Sequence, residues 1–450
     1  MNFRKYTFVI STCLLFFSCS NDPEINNTPQ EPSIKEGFLG QLSFIKTLGG
    51  SKNDLVSSII KTTDGGYAMT GYTASSDGDF NTKTSDDSDF ILLKYNANDV
   101  LEWFKTYGGS KDDRGTKIIN TIDNGFAILG FSKSNDGDSS NNAGNSDLWL
   151  TKLDSNGTLT WEKSFGYSGV DFGTALIQTK DSGYLIVGEL DVTSSGGLGN
   201  SKASKSLHAG GDFWAIKLNN KGEKEWSKYF GGNFTDTPQS VIETINGDFI
   251  IGGTSDSSDV DIKNNQGTYD FWVVKIDKTG KLLWEKSFGG SQIDESFGMV
   301  ETNDNDFVLV GNTRSTDKNV SQNNGAADLW LVKINTQGNL LWEKTFGGTS
   351  FDVGNSIKTM KDGHFLISGS SRSSDNQITN KGQNDAWILK VSNQGNLLWQ
   401  KTFGGSDIDL CHDAIELNNG TIIAVGESTS KTDDIKENKG FSDILIIKLK

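Results

Sequence analysis

The sequence is poor in proline, cysteine and histidine, and each shortage excludes something. Four prolines in 450 residues are too few for a stiff, proline-rich linker protein. Three histidines, His208, His364 and His412, are far apart and indicate neither a histidine metal cluster nor a Ser-His-Asp arrangement. Beyond the N-terminal segment only Cys411 remains, so no intramolecular disulfide is expected there and stability must come from packing.

Positive charge is also in short supply, with Lys+Arg 42 against Asp+Glu 58 and a net charge of -16. Such a chain is repelled by a phosphate backbone, which excludes nucleic acid as a partner. Glycine, by contrast, is abundant at 52 residues, and aromatic residues reach 10%. This mixture is typical of a folded, turn-rich chain. Because 450 residues exceed the usual single core, we expect several domains or one repetitive architecture.

The N-terminus has the order of an export signal. Arg4 and Lys5 precede an apolar run over residues 7–17, which is too short to span a bilayer. The run ends at Phe16-Phe17-Ser18-Cys19, which resembles the lipobox of bacterial lipoproteins, although Phe16 and Phe17 replace the usual leucine and small residue. We therefore predict a signal peptide over residues 1–18 and lipidation of Cys19, with an ordinary signal peptide cut nearby as the alternative.

The segment that follows reads as a tether. Residues 20–37 hold three of the four prolines and almost no apolar side chains. We predict a flexible tether over residues 19–37 and one folded unit over residues 38–450.

Internal repetition is the strongest signal in the chain. A block of the form Trp-x-Lys-[Ser/Thr]-Phe-Gly-Gly-Ser-x-x-Asp recurs along its length, and a second block, Asp-x-[Trp/Phe]-x-x-Lys, follows in step. The aspartates that end the first block are Asp54, Asp113, Asp171, Asp236, Asp294, Asp352 and Asp409. The aspartates that begin the second block are Asp89, Asp147, Asp212, Asp270, Asp328, Asp385 and Asp443. Two markers in step indicate seven copies of one unit.

Each unit contains four short segments with strand periodicity, for example residues 113–121, 126–132, 147–153 and 158–165. Tight turns such as Asp123-Asn124-Gly125 join the first two strands, where glycine or asparagine supplies a positive φ. Five of the hairpins formed by the last two strands carry a tryptophan pair, such as Trp149 and Trp161, symmetric about the turn. We expect these rings to face each other across the hairpin.

Seven units of four antiparallel strands, with no helical periodicity, predict an all-β, seven-bladed β-propeller. The two ends of the chain supply an internal test. The first copy begins with a lone strand at residues 42–49, and the chain ends with a strand at residues 443–448 that lacks its partner. We predict that the N-terminal strand becomes the outermost strand of the last blade and closes the ring, which removes the exposed sheet edges.

Over residues 42–450 these repeats resemble the secreted and lipid-anchored β-propeller-repeat proteins of Bacteroidota-type bacteria, most of which have no assigned activity. The acidic, proline-containing tether also resembles that of surface lipoproteins from these bacteria. The resemblance implies a protein of the cell envelope, anchored to the outer membrane by lipid alone, with display at the cell surface as a further alternative. Some members carry an endoglucanase label, which nothing in the present motifs supports.

Chain order places the Gly-Gly-Ser-x-x-Asp connections and the loops between second and third strands at one end of the blades, here called the long-loop face. The tight turns lie at the other end, the turn face. The long-loop face is the functional candidate. We identify the seven aspartates of the first block as candidate ligand-binding residues around a central channel, with turn capping as the alternative.

The loops on that face are rich in alternating carboxylates. Asp77 and Asp79, and Asp136 and Asp138, are candidate ligands for calcium, although no loop has the full twelve-residue calcium pattern. Solvated loop tips are the alternative interpretation. No other cofactor is indicated.

The third unit departs most from the repeat. It carries an insertion over residues 190–208, and Tyr167 replaces the second glycine of its block. Glu189, beside the insertion, and His208, within it, are candidate ligand-binding residues of a recognition loop, with a neutral surface insertion as the alternative. Cys411 and His412 are adjacent on a strand and point to opposite faces, so they do not indicate a catalytic pair.

These observations favour a non-catalytic, monomeric binding or scaffolding module that takes a glycan or an envelope protein on its long-loop face. An envelope glycosidase is the enzymatic alternative, because two opposed carboxylates on that face would suffice. A purely structural repeat protein is the third possibility. The sequence names no catalytic residue, and the fold alone does not choose among the three.

Overall fold

The computed structural model describes residues 40–191 and 211–450, which belong to one compact unit, Phe38–Lys450. The predicted signal peptide, Cys19, the predicted tether and His208 lie outside the described residues. The strands in chain order are β1 Leu42–Leu48, β2 Asp54–Lys61, β3 Tyr67–Thr73, β4 Asp89–Tyr95, β5 Leu101–Tyr107, β6 Asp113–Asn120, β7 Phe126–Ser132, β8 Asp147–Leu153, β9 Leu159–Phe165, β10 Phe172–Gln178, β11 Tyr184–Asp191, β12 Gly211–Leu218, β13 Lys224–Phe230 and β14 Asp236–Glu243. They continue with β15 Phe249–Ser255, β16 Asp270–Ile276, β17 Leu282–Phe288, β18 Asp294–Glu301, β19 Phe307–Thr313, β20 Asp328–Ile334, β21 Leu340–Phe346, β22 Asp352–Thr359, β23 Phe365–Ser371, β24 Asp385–Val391, β25 Leu397–Phe403, β26 Asp409–Glu416, β27 Ile422–Ser428 and β28 Asp443–Leu449.

These strands form seven antiparallel sheets of four, which confirms the predicted seven-bladed β-propeller. The first strands of successive blades, from β2 and β6 round to β26 and back to β2, contact each other and form the inner ring. The unit used as an example has its strands at the predicted places within one residue. One short 3-10 turn, Gly78–Phe80, is the helical element of the described part.

Ring closure follows the prediction. In the last blade the strand order is β1-β28-β27-β26, so the N-terminal strand is outermost. Ile45 pairs with Ile447, and Gln41 and Lys450 exchange backbone hydrogen bonds of 2.9 and 2.8 Å beyond the strand ends. The chain ends are thereby held together, since opening the ring requires breaking this ladder.

The two middle strands of each blade are buried on both faces. In β8 and β20 every residue is buried, whereas the inner strand β6 mixes buried and partly exposed residues and the outer strand β9 has no buried residue. Middle strands lie between the sheets of the two neighbouring blades, so both of their faces are apolar. The hydrophobic core is therefore a series of clusters between adjacent blades.

The tryptophan pairs do not face each other, and that prediction is wrong. Trp149 is opposite Ser164, and Trp161 is opposite Lys152. The turn is centred on Asn156, one residue beyond the midpoint of the pair, and a bulge beside the turn shifts the register by one more residue. The two rings therefore lie on opposite faces of the sheet. Trp149 packs against Phe90 of the preceding blade, with centroids 4.5 Å apart, whereas Trp161 packs against Tyr184 of the following blade at 5.7 Å.

The remaining hairpins have the same register, so each tryptophan pair joins one blade to both of its neighbours. Such ring contacts add about 0.5 to 1.5 kcal/mol each beyond their burial.

The tight turns have the predicted positive φ angles, and a serine adopts one as well. Gly65 and Asn124 adopt positive φ angles of 84° and 62° at matching positions, and in the third unit Ser182 adopts 68°. A side chain is disfavoured in this conformation, which explains the preference for glycine and asparagine.

Candidate functional site

The seven aspartates that open the inner strands are buried, with 0% of their surface exposed. Asp54 shows the shared geometry: it accepts hydrogen bonds from Thr73 Oγ1 at 2.5 Å, Ser75 Oγ at 2.7 Å and the Gly50 amide at 2.9 Å. Each carboxylate thus ties the Gly-Gly-Ser connection to the loop that follows the second strand. This geometry favours the capping interpretation, and a ligand-binding role for these seven residues stays a prediction.

The aspartates of the second block lie beside those of the first. Asp270 in β16 and Asp294 in β18 approach the same glycine, Gly289, at the boundary between two blades. A Cβ added to Gly289 would meet Asp270 Oδ1 at 2.1 Å and Asp294 Oδ2 at 2.7 Å. The same arrangement of a glycine between two carboxylates occurs at Gly49, Gly108, Gly231, Gly347 and Gly404. A side chain on the first glycine of the block would therefore collide with these carboxylates, which explains why glycine occupies this position.

Burial raises the pKa of several of these carboxyl groups, among them Asp236, Asp270, Asp328 and Asp385. Burial and the nearby charge of Asp294 raise the pKa of Asp270 to about 7, against hydrogen bonds that lower it. The pKa of Asp236 and that of Asp385 are also raised to about 7 by burial, and the pKa of Asp328 is raised to about 6. Two buried carboxylates that approach the same glycine repel each other, and protonation relieves this repulsion.

The four calcium candidates also bind the backbone. Asp77 Oδ1 accepts a 2.7 Å hydrogen bond from the Ser51 amide, and Asp79 Oδ2 accepts one of 3.0 Å from the Gly49 amide. Asp136 and Asp138 make the equivalent contacts in the next blade, at 2.8 and 3.2 Å. Within residues 40–191 and 211–450 no group of three or more His, Cys, Asp or Glu side chains is arranged to hold a metal ion. Calcium binding stays a prediction.

The turn face uses aspartate differently. There the repeated lysine of the third strand pairs with an aspartate of the first turn: Lys94 with Asp64 at 2.6 Å, and Lys333 with Asp304 at 2.9 Å. Hydrogen bonds from Thr302 and Lys333 lower the pKa of Asp304 to about 2. The function of this lysine was not recognised from the sequence, although its strict period in the second block was visible.

Glu189 is half-buried, and burial raises its pKa. It accepts a hydrogen bond of 3.4 Å from Thr237 Oγ1 of the next blade, and its ligand-binding role stays a prediction. At the matching position of the last blade, Glu427 lies 3.6 Å from His412 Nε2. Burial alone would raise the pKa of Glu427, but the hydrogen bond and charge of His412 lower it. Cys411 is buried, which raises its pKa to about 12, so this thiol is not a nucleophile.

The centre of the propeller holds a cavity of about 430 Å³, lined by residues from all seven inner strands. Most of the lining repeats from blade to blade. Two positions of the repeat vary. At one of them Lys117 and Asp413 replace the small residues of the other copies, and at the second Lys358 replaces a branched apolar residue. Asp413 is 1% exposed, and its Oδ1 lies 3.4 Å from Lys358 Nζ. Three charged side chains from three blades thus meet in the channel.

The sequence interpretation missed this cluster. A comparison of the inner strands position by position would have revealed it. Four residues after the block aspartate, five copies carry Ser58, Ala175, Ser240, Gly298 and Ser356, and the other two carry Lys117 and Asp413. Six residues after it, isoleucine or valine stands in every copy except the sixth, which has Lys358.

The long-loop face also exposes two aromatic rings. Phe234 is 56% exposed and Phe441 is 75% exposed. Each ring lies in a loop in which a backbone amide at or beside it donates a hydrogen bond to a side chain. The amide of Phe234 donates to Ser257 Oγ at 3.0 Å, and the amide of Gly440 donates to Asn438 Oδ1 at 3.0 Å. At these positions the other copies carry polar or small residues.

No protein-family profile matches the chain, and no curated protein matches it by sequence. Solved structures match it over nearly its whole length at low identity. A chain in the crystal structure of a mitotic checkpoint complex is 7% identical with a TM-score of 0.50, covering 97% of this chain and 99% of that one. The WD40 domain of Pan2 from Neurospora crassa is 10% identical with a TM-score of 0.48, covering 90% and 95%.

The β-propeller domain of the Trilobed protease from Pyrococcus furiosus is 11% identical with a TM-score of 0.41, covering 91% of this chain and 94% of that one. At such identities the likeness concerns the fold alone. The class of protein is therefore a seven-bladed β-propeller. In the described part of the chain no helix is long and apolar enough to cross a membrane.

Proposed function

We propose that this chain is a lipid-anchored protein of the cell envelope whose propeller is a non-catalytic binding module, with a glycan as its ligand on the long-loop face. The observation that carries the proposal is the exposure of Phe234 and Phe441 on that face. Exposed aromatic rings are costly in water and are typical anchors of binding sites. The aspartates common to the repeat are buried, so recognition falls to side chains that differ between copies.

Rigid presentation supports the same function. Around Phe234, the Asn233 amide donates to Asp259 Oδ1 at 2.9 Å, and Ser257 holds the next amide. Around Phe441, Lys439 Nζ lies 2.9 Å from Asp79 Oδ2 of the adjacent blade. Loops fixed in this way lose little entropy when a ligand binds, and their amide, hydroxyl and carboxylate groups suit sugar hydroxyls.

The test is binding of the purified protein to an array of polysaccharides, with and without calcium, followed by product analysis on every hit. We expect binding without cleavage, weakened at least tenfold in the variants Phe234→Gln and Phe441→Gln, a loss of about 1.4 kcal/mol or more. Ile245→Asn is the matched control, because Ile245 is 71% exposed but lies on the turn face. Shortened products would make the protein an enzyme and overturn the proposal.

Two further outcomes are informative. Binding that requires calcium would assign Asp77, Asp79, Asp136 and Asp138 as ligands. An array without hits, together with capture of an envelope protein that depends on Phe234 or Phe441, would replace the glycan by a protein partner.

A further inference from the structure

The charged cluster in the central channel serves no function in the repeat. The cluster comes from three different blades, with Lys117 in β6, Lys358 in β22 and Asp413 in β26. The other copies have uncharged residues at the same positions. An ionisable side chain in an otherwise apolar and hydroxylated channel is costly to bury. These three residues are therefore candidates for a function specific to this protein.

Charge in the cluster is unbalanced. Asp413 is surrounded by donors: Ser356 Oγ at 2.6 Å, the Ala414 amide at 3.0 Å and the Ile59 amide at 3.1 Å, in addition to Lys358. One carboxylate thus faces two ammonium groups. Within the described residues no carboxylate oxygen lies within 4.0 Å of Lys117 Nζ.

The cavity has room for a small ligand beside these amines. Its volume of about 430 Å³ lies in the range of small-molecule sites. Ser57, Thr116, Gln239 and Asn355 contribute hydroxyl and amide groups to the same lining. Lys358 keeps 34% of its side-chain surface accessible, and Lys117 is half-buried at the cavity wall. Both ammonium groups thus border a space that a ligand with several oxygens can fill.

We propose that the central channel binds a small oxyanion, as a free ion or as the carboxylate or phosphate group of a small molecule, between the ammonium groups of Lys117 and Lys358. Asp413 positions Lys358 and prevents it from turning away. This site is distinct from the long-loop face and does not depend on a glycan ligand there.

The protonation of Lys117 agrees with this arrangement. The charge of Lys358 and burial lower the pKa of Lys117 to about 8, although Asp413 opposes the shift. A bound anion stabilises the ammonium form and raises this pKa, so binding takes up a proton near and above pH 8. Affinity is therefore greatest below about pH 8 and falls as the pH rises. The ionisable groups that line the cavity are Lys117, Lys358, Asp413 and His412.

The experiment is calorimetric titration of the purified full-length protein with inorganic phosphate and, separately, with acetate, at constant ionic strength. We expect at least one of them to bind at pH 7, and affinity to fall at least tenfold in each of Lys117→Ser and Lys358→Ile. These variants carry the residue types of other copies at the same positions, so the fold is retained. Lys117→Gln is a second variant should Lys117→Ser fail to fold.

Lys344→Met removes one exposed lysine from an outer strand and is the matched control, with affinity unchanged. Binding of phosphate alone indicates a phosphate ligand, and binding of acetate alone indicates a carboxylate. The proposal is overturned if neither anion binds, or if the channel variants bind as well as the wild type. Unchanged affinity between pH 7 and pH 9.5 would contradict the part assigned to Lys117.

Discussion

The two ends of each blade use the same residue in opposite ways. At the long-loop face, aspartates are buried in pairs, and burial raises the pKa of Asp270 to about 7, whereas Asp89 of the first blade also lies 3.3 Å from Lys83 Nζ. At the turn face, aspartates are half exposed and bound to lysine, and the pKa of Asp304 is lowered to about 2. A repeated aspartate therefore does not have one protonation behaviour. Desolvation dominates its pKa at the long-loop face, and a neighbouring ammonium group dominates its pKa at the turn face.

The largest effect is expected from adding one methyl group between a carboxylate pair. In Gly289→Ala the new Cβ would lie 2.1 Å from Asp270 Oδ1, so blades must separate or side chains must shift. We expect a loss of about 3 kcal/mol or more in the free energy of unfolding. Gly420→Ala, at the turn face, has no atom within 4 Å of the added Cβ but keeps a φ of 86°. It should lose only about 1 to 2 kcal/mol.

Both values are measured by denaturant unfolding followed by tryptophan fluorescence. Equal losses in the two variants would show that the carboxylate pair does not constrain the glycine.

A smaller difference is expected when the aspartates themselves are removed. Asp294→Ala leaves the Gly290 amide and the Thr313 and Ser315 hydroxyls without their buried acceptor, which should cost about 2 to 3 kcal/mol. Asp304→Ala removes a carboxylate that is 64% exposed, and solvent screening reduces its cost to about 0.5 kcal/mol. Melting curves of the two variants and the wild type provide the comparison. Similar melting temperatures would contradict the distinction between the two faces.

The dependence of stability on pH tests the same contrast between the two faces. Paired carboxyls such as Asp236, Asp270 and Asp385 have a folded pKa of about 7, above their unfolded value of 3.8. Their contribution is fully present below pH 3.8 and is lost as the pH rises through about 7. Asp64, Asp123 and Asp304 have a folded pKa of about 2, so their contribution is lost as the pH falls from 3.8 towards 2.

The melting temperature should therefore peak near pH 4 and fall towards pH 8, by roughly 2 °C for each kcal/mol lost in a chain of this size. Asp236→Asn should flatten the alkaline side of the profile and leave the acid side unchanged. Stability that rises between pH 4 and pH 8 would contradict the raised pKa values.

The architecture was predictable because the repeat is evident in the amino-acid sequence. Two blocks in step set the number of blades, and the unpaired strands at the chain ends predicted that the N-terminal strand joins the last blade, where Ile45 lies opposite Ile447. The facing of Trp149 and Trp161 was not predictable in the same way. Symmetry about the turn residues suggested direct pairing, but the turn is centred on Asn156 rather than on the midpoint of the pair, and a bulge between Lys152 and Leu153 shifts the register further.

The candidate sites were less accessible to sequence interpretation. The positions of the repeated aspartates were evident, but their burial and their pairing across a glycine depend on contacts between blades. Lys117, Lys358 and Asp413 are 296 residues apart at most in the chain, and only ring closure brings them to one cavity. Their departure from the repeat was present in the sequence, as was that of Phe234 and Phe441.

By itself, the sequence determined the number of strands, their order and the closure of the ring, because local periodicity and turn residues are encoded within each unit. The tertiary structure alone decided which carboxylates are buried in pairs, which are bound to lysine and which charges meet in the channel. Burial and proximity between blades set these properties, and neither is a property of a single repeat.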